Sequence, residues 1–357
     1  MKVRSLAITG LLLMATGWFS ACTSQAEKFR NTSVDYRVKP GDWVELIKAY
    51  FGTERVAPTP SAPLPVRRIP AAELQARTGE ATVYRLGHSS VLMRLDSEYV
   101  LTDPVFSERA SPLRWLGPKR FHPLPFILEE LPRIKAVVIS HDHYDHLDKA
   151  SVLALADRVD RFIVPLKVGD HLRRWGIAEE KIVELGWWQS VSVGSLRFTA
   201  TPAQHFSGRG LTDRDKTLWA GWVIESHEAR VFFSGDSGYF DGFREIGERF
   251  GGFDLTLIET GAYNHLWSQI HMLPEQSVQA HIDLRGRAMV PIHNSTFDLA
   301  LHDWYEPLER AAASAEQRGV KLVTPVIGAP VKIASPETAA WWRGEMLQKA
   351  LQLSAEY

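Results

Sequence analysis

Three histidines and neighbouring aspartates fall within Ser140-His141-Asp142-His143-Tyr144-Asp145-His146-Leu147-Asp148. Imidazole nitrogens and carboxylate oxygens together suit zinc and similar divalent ions. His141 and His143 are two apart, so in extended chain they point to the same side. Asp145 and His146 follow where the chain must turn and can face a second point nearby. With only 13 histidines in 357 residues, three within positions 141–146 read as a metal site rather than a solvated loop rich in histidine.

A metal loop needs a rigid base. Ala136-Val137-Val138-Ile139 reads as a short buried strand, apolar, β-branched and bounded by polar residues. The cluster therefore emerges at a strand's C-terminal end, where open sheets with helical crossovers usually place their ligands. Residues 83–86, 90–95 and 99–102 read as further strands, as do 320–326 and 331–333 near the end. Helix signals cover 149–158, 170–175, 274–284 (opened by a proline and an acid) and 303–318 (closed by Gly319). Hydrophobic residues make up 45% and charged residues 23%, enough apolar material for a large core. The net charge of -1 gives no reason to expect nucleic acid as a partner.

The cluster resembles the H-x-H-x-D-H signature of the metallo-β-lactamase superfamily. The resemblance implies an αββα sandwich and three later ligands at strand ends: His205 after residues 196–198, Asp236 after 231–233, and His293 after 289–292. Carried over, His141, His143 and His205 would hold one metal. Asp145, His146 and His293 would hold a second, with Asp236 bridging, and two Zn2+ are the expected cofactors. Taken singly, His293 reads equally as a hydrogen-bonded core histidine and Asp236 as a turn former beside glycine.

The flanks resemble the N-acylphosphatidylethanolamine phospholipase D branch. They are Leu86-Gly87-His88-Ser89-Ser90, Leu101-Thr102-Asp103-Pro104, Gly117-Pro118-Lys119-Arg120, Glu259-Thr260-Gly261-Ala262-Tyr263 and His271-Met272-Leu273-Pro274-Glu275. Asn294-Ser295-Thr296 departs from the branch, where tryptophan and glycine precede the threonine. The branch implies a phosphodiesterase that cuts a phospholipid on the head-group side with a metal-bridging hydroxide. Asp145 and His271 are then catalytic candidates, His271 by contacting substrate or protonating the leaving oxygen. His88, Asp103 and Asp148 are candidates for orienting ligand imidazoles through their other nitrogen. A lactonase of the ascorbate-6-phosphate type and a non-catalytic envelope binding protein are the alternatives. A true β-lactamase is disfavoured, because those enzymes in general lack a bridging carboxylate of the Asp236 kind.

The N-terminal residues speak to location. A basic start, Met1-Lys2-Val3-Arg4, precedes an apolar stretch over 6–19, the pattern of a secretory signal too short for a membrane span. Phe19-Ser20-Ala21-Cys22 then resembles a bacterial lipobox, with Phe19 departing from its usual aliphatic residue. Cys22, the sole cysteine, is the expected lipidation site, and the expected address is the periplasm, as an outer-membrane lipoprotein. The expected organisation is a signal over 1–22, a helix and proline-rich connector within 23–75, a catalytic domain over 76–340 and a helical tail over 341–357. Trp43, Leu46, Ile47, Tyr50 and Phe51 are spaced as one helical face within 41–52. The apolar, proline-broken stretch 121–128 could line an acyl-chain groove or pack against the connector.

Overall fold

Strand by strand, the alternation of side chains decides the layers. The computed structural model describes residues 28–37, 40–76 and 79–344. The expected signal and its lipidation site Cys22 lie outside the described residues, as do residues 345–357 of the expected tail.

Thirteen strands are present among the described residues: β1 (Thr82–Gly87), β2 (Ser90–Leu95), β3 (Glu98–Thr102), β4 (Ile134–Val138), β5 (Val159–Pro165), β6 (Ile182–Leu185), β7 (Ser190–Val193), β8 (Leu196–Thr201), β9 (Gly221–Glu225), β10 (Arg230–Phe233), β11 (Leu255–Glu259), β12 (Met289–Ile292) and β13 (Pro330–Lys332). They form a seven-stranded sheet, β13-β1-β2-β3-β4-β5-β6, and a six-stranded sheet, β12-β11-β10-β9-β8-β7. Strands β3 to β6 are mutually parallel, as are β10 to β12, and the remaining pairs are antiparallel. The helices are α1 (Pro40–Gly52), α2 (Ala71–Gln75), α3 (Lys149–Leu155), α4 (Gly169–Arg174), α5 (Gly242–Phe250), α6 (Pro274–Asp283) and α7 (Glu306–Arg318).

In β4, Ala136 and Val138 enter the core between the sheets with Phe198, Trp222, Phe233, Leu257 and Ile292. Their neighbours Val137 and Ile139 face outward, onto a second core with Val152 and Leu155 of α3 and Leu172 of α4. On the far side, Val223, Phe232 and Ile258 pack against Phe243 and Ile246 of α5, Val278 and Ala280 of α6 and Ala315 of α7. Helices, sheet, sheet and helices are the expected αββα sandwich. The site loops follow the C-terminal ends of the central strands.

One local expectation changes and one open reading is decided. Residues 320–326 form only an isolated bridge, Leu322 beside Met289, because the Thr324 amide turns away to the Thr338 hydroxyl at 3.0 Å. Of the two readings of 121–128, packing is the one that Phe121 and Phe126 follow. Phe126 is buried against Phe106, its ring 5.1 Å away, and Phe121 packs in the cluster of Ala57, Leu64, Trp304 and Trp342. The void that Phe121 lines with Pro58 has only about 10 Å³, room for no more than about one water. The connector is thereby seated: the Trp304 amide donates to the Ala57 carbonyl at 2.9 Å, and Ile69 donates to Pro125 at 2.7 Å.

One indole joins the two sheets beneath the metal loop. Trp222 of β9, fully buried, donates from Nε1 to the Ile139 carbonyl at 2.9 Å, at the end of β4. Trp222→Phe keeps a smaller aromatic ring but leaves that buried carbonyl without this donor. We expect a loss of about 1–3 kcal/mol, read as a lower urea midpoint at unchanged slope.

Candidate metal centre

Four strand ends from both sheets deliver the candidate ligands. His141, His143, Asp145 and His146 lie on the loop after β4, His205 on the loop after β8, Asp236 on the turn after β10, and His293 directly after β12. The β10 turn approaches the β4 loop so closely that a Cβ on Gly235, at φ +56°, would stand 2.5 Å from Ser140 Cβ. Only glycine fits there. His88, Asp103 and His293 all hold positive φ (+51°, +32° and +63°), a strained region for non-glycine residues that clusters at functional sites.

Two groups result. His141 Nε2 lies 2.9 Å and His205 Nε2 3.3 Å from His143 Nδ1. Asp145 Oδ2 lies 3.3 Å from His293 Nε2, 3.6 Å from His146 Nε2 and 3.1 Å from His88 Nε2. Asp236 stands between them, 3.1 Å from His146 Nε2 and 3.0 Å from His293 Nε2, and 4.0 and 3.9 Å from His141 and His205 Nε2. All seven residues expected as ligands are thus brought together.

The fit to metal rests on what these atoms lack. His146 Nε2, His293 Nε2 and Asp236 Oδ1 are buried without a hydrogen-bond partner, although 3.0–3.1 Å separates each imidazole from the carboxylate. They are close but not aligned for bonding one another, as donors converging on a shared cation would be. His205 Nδ1 must donate, since its partner is the Ile270 carbonyl at 3.0 Å; the neutral ring then carries its lone pair on Nε2. Groups of imidazoles and carboxylates with ligand atoms within 4.8 Å of one another satisfy the donor chemistry of zinc and similar ions.

The electrostatics differ between the groups. Burial first, then neighbouring imidazoles, hold His141 well below the ordinary histidine range, and burial does the same for His205. At His146 burial is outweighed by Asp236 and Asp145, which raise it well above that range. His293 is likewise pushed up to about 10, mainly by Asp236 against burial. Burial also opposes ionisation of Asp145 and Asp236, but the positive charge of His146 holds both carboxyls well below their usual range.

The supporting residues are partly the expected ones. Asp103 accepts from His146 Nδ1 at 2.7 Å and from the Ser140 amide and hydroxyl at 2.7 and 2.6 Å, so it orients a candidate ligand ring. His88 bonds the Asp145 carboxylate instead of an imidazole. Asp148 reaches no ligand ring: it caps α3 at the Ala150 amide and binds Ser107 and Ser151, because the chain has already turned into the helix. His271 enters the site, its Nδ1 3.9 Å from Asp236 and paired with Glu259.

Glu259, Ser140 and Asp142 were missed. Glu259 is fully buried at the end of β11, accepts from the Ser237 amide at 2.6 Å and contacts His271. An acid closing an apolar strand, in the manner of Asp236, is the signal that could have found it. Asp142 faces away from the ligands, to Thr217 at 2.9 Å and the Gly208 amide at 2.8 Å. Candidate ligands floor a cavity of about 270 Å³ that His143, Asp145, Asp236, His271 and His293 share with Tyr36, Phe206, Trp267, Ile270 and Leu299.

The family described as the beta-lactamase superfamily domain matches residues 98–294. The chain is 47% identical over 291 residues to an uncharacterized protein of Mycobacterium tuberculosis, a match covering 79% of this chain and 78% of the relative. It is 36% identical over 260 residues to N-acyl-phosphatidylethanolamine-hydrolyzing phospholipase D 1 of Caenorhabditis elegans, covering 69% and 73%. The crystal structure of an isothiocyanate hydrolase from Delia radicum gut bacteria superposes with a TM-score of 0.56 at 21% identity, over 70% of this chain and 98% of that one, and shows the same fold. The chain belongs to the β-lactamase superfamily and is a metal-dependent hydrolase.

Asp103→Asn keeps the size of the side chain but weakens its grip on His146 Nδ1. Zinc affinity should fall about 10–100-fold, measured by competition with a chelator, while circular dichroism stays unchanged.

Proposed function

We propose that this chain is a binuclear zinc hydrolase that cleaves a phosphodiester, with a phospholipase D-type action on N-acylphosphatidylethanolamine or a related phospholipid. One observation carries the reading: the polar cluster floors a cavity whose other walls are the largely hydrophobic side chains Tyr36, Phe206, Ala262, Trp267, Ile270 and Leu299. A charged floor beneath apolar walls matches a substrate with a phosphate group attached to hydrocarbon. The named activity of the C. elegans relative supports the same substrate class.

His141, His143 and His205 would hold one cation, and Asp145, His146 and His293 the other, with Asp236 shared. Bound there, divalent cations supply Lewis-acid polarisation of phosphoryl oxygens and a water acidic enough to attack at neutral pH. The chain's own residues do the rest. Asp103 and the Ile270 carbonyl fix the rings of His146 and His205. Phe206, Trp267 and Leu299 line the cavity beside the floor and offer contact surface to hydrocarbon. Burial pushes His271 down to about 4, so at neutral pH its ring is a neutral imidazole. Its Nδ1 pairs with Glu259, whose buried carboxyl is held well above the usual range; a protonated Glu259 donates to Nδ1 and leaves Nε2–H to donate to the departing head-group oxygen.

We further propose that residues 1–22 export the chain and that Cys22 carries a lipid anchor, which would bring the cavity to its substrate's membrane. Among the described residues no helix is long and apolar enough to cross a membrane. Labelling with a fatty-acid analogue should tag the wild-type protein and not Cys22→Ala.

The substrate reading is tested by incubating the purified chain and Zn2+ with N-acylphosphatidylethanolamine, phosphatidylethanolamine, a phosphorylated lactone and a β-lactam. Phosphatidate should be released from the lipids, and His143→Ala should lower the rate by about 100-fold or more. Lactone opening with both lipids intact would refute the phospholipase reading.

A further inference from the structure

The N-terminal segment contributes to the metal centre from more than 170 positions away in sequence. Residues 28–37 have no helix or strand of their own and lie along the loop that carries His205. The Phe29 amide donates to the Asp215 carbonyl at 2.9 Å, and Arg214 donates to the Tyr36 carbonyl at 3.2 Å. Tyr36 sets its ring 6.1 Å from that of Phe206, which also lies beside the rings of His143 and His205 at 4.5 and 4.9 Å.

The central tie is Asn31. Its Nδ2 donates to the His205 carbonyl at 2.8 Å, and its Oδ1 accepts from the His205 amide at 2.9 Å. The same Oδ1 accepts from Trp219 Nε1 at 3.0 Å, and that indole also bonds the Ala203 carbonyl at 2.9 Å. His205 is fully buried and follows the end of β8, where the ladder no longer supplies partners for its peptide groups. Buried peptide groups need partners. A side-chain amide serves both at once, donating with one atom and accepting with the other, as a neighbouring strand would. With Ile270 holding Nδ1, His205 is then fixed at its amide, its carbonyl and its ring.

We propose that Asn31 is a positioning residue for the metal centre, and that segment 28–37 is a strap whose task is to seat His205. The inference rests on the cluster being a metal site, and not on which substrate is cut. Asn31→Asp keeps the acceptor but sets a carboxylate against the His205 carbonyl; Asn31→Ala removes both bonds.

The test uses the full chain and Zn2+ alone. Zinc bound per chain is measured against free zinc set by a chelator, alongside urea unfolding. For Asn31→Ala, part of the uptake should move to about 10–100-fold higher free zinc, with Asn31→Asp between it and the wild type. Lower urea midpoints in both variants, with zinc uptake within about twofold of wild type, would make Asn31 a packing residue and overturn the proposal. Should Asn31→Ala fail to fold, the zinc curve of Asn31→Asp decides by the same criterion. A wild-type chain that takes up no zinc would overturn the metal-centre reading as well. Normal wild-type uptake with an unshifted variant overturns the strap alone.

Discussion

Two carboxylates set in the seam between two sheets impose the constraint on which the rest of the structure depends. Asp236 is nearly inaccessible and Asp145 half-buried, and each faces several imidazoles. An ionised carboxylate in such a place costs several kcal/mol unless positive charge lies against it. Here the compensation is arranged in advance: His146 and His293 stand within 3.6 Å of both acids and are driven towards their charged forms. Divalent cations offer the same compensation more strongly. The site is therefore built for positive charge, and its hydrogen-bonded surround keeps the donors from collapsing onto one another. Asp103 and Ser140 hold His146 from behind, and the Ile270 carbonyl holds His205.

The sandwich meets this constraint by ending its central strands at one place. A strand end is rigid in position yet free of the ladder, so the residue just after it can be aimed. The cost is local. His293 is turned into the left-handed region one residue past β12, and a Cβ on Gly261 would stand 2.1 Å from its carbonyl. The glycine after β11 thus lets the neighbouring strand ends come together at this depth. Three layers of apolar packing, one between the sheets and one outside each, supply the rigidity that such turns require.

What could be read in the sequence were the features that repeat locally. The short, mostly apolar run 90–95 marked β2 to the residue, and the histidine spacing on the 140–148 loop marked the site. His205, Asp236 and His293 became visible only as an ordered set after strands, since each alone reads as an ordinary core or turn residue. Long-range partners were not legible. Nothing beside Asn31 in the chain points to His205, and Glu259 looks like the end of a strand until Ser237 and His271 fold against it. Asp148 failed for the opposite reason: proximity in sequence suggested a role at the ligands, but the chain had turned and helix capping claimed the carboxylate. The greasy stretch 121–128 stayed open between two readings because apolar side chains look alike whether they line a cavity or fill a core; in the fold Phe121 packs with Ala57 and Leu64 of the connector.

The walls of the cavity complete the argument about the floor. Tyr36, Phe206, Trp267 and Leu299 come from segments that share no strand, yet they enclose one side of the ligand cluster. Charge interactions scale inversely with the effective dielectric, so water at the floor would weaken the differences that separate His141 and His205 from His146 and His293. Apolar walls lower the effective dielectric on that side, and donors already fixed in place need little rearrangement when charge develops on a bound group. Aromatic side chains that would also suit hydrocarbon thus serve the electrostatics of the centre. The same residues that would admit a lipid keep the polar floor effective, which ties the shape of the cavity to its chemistry.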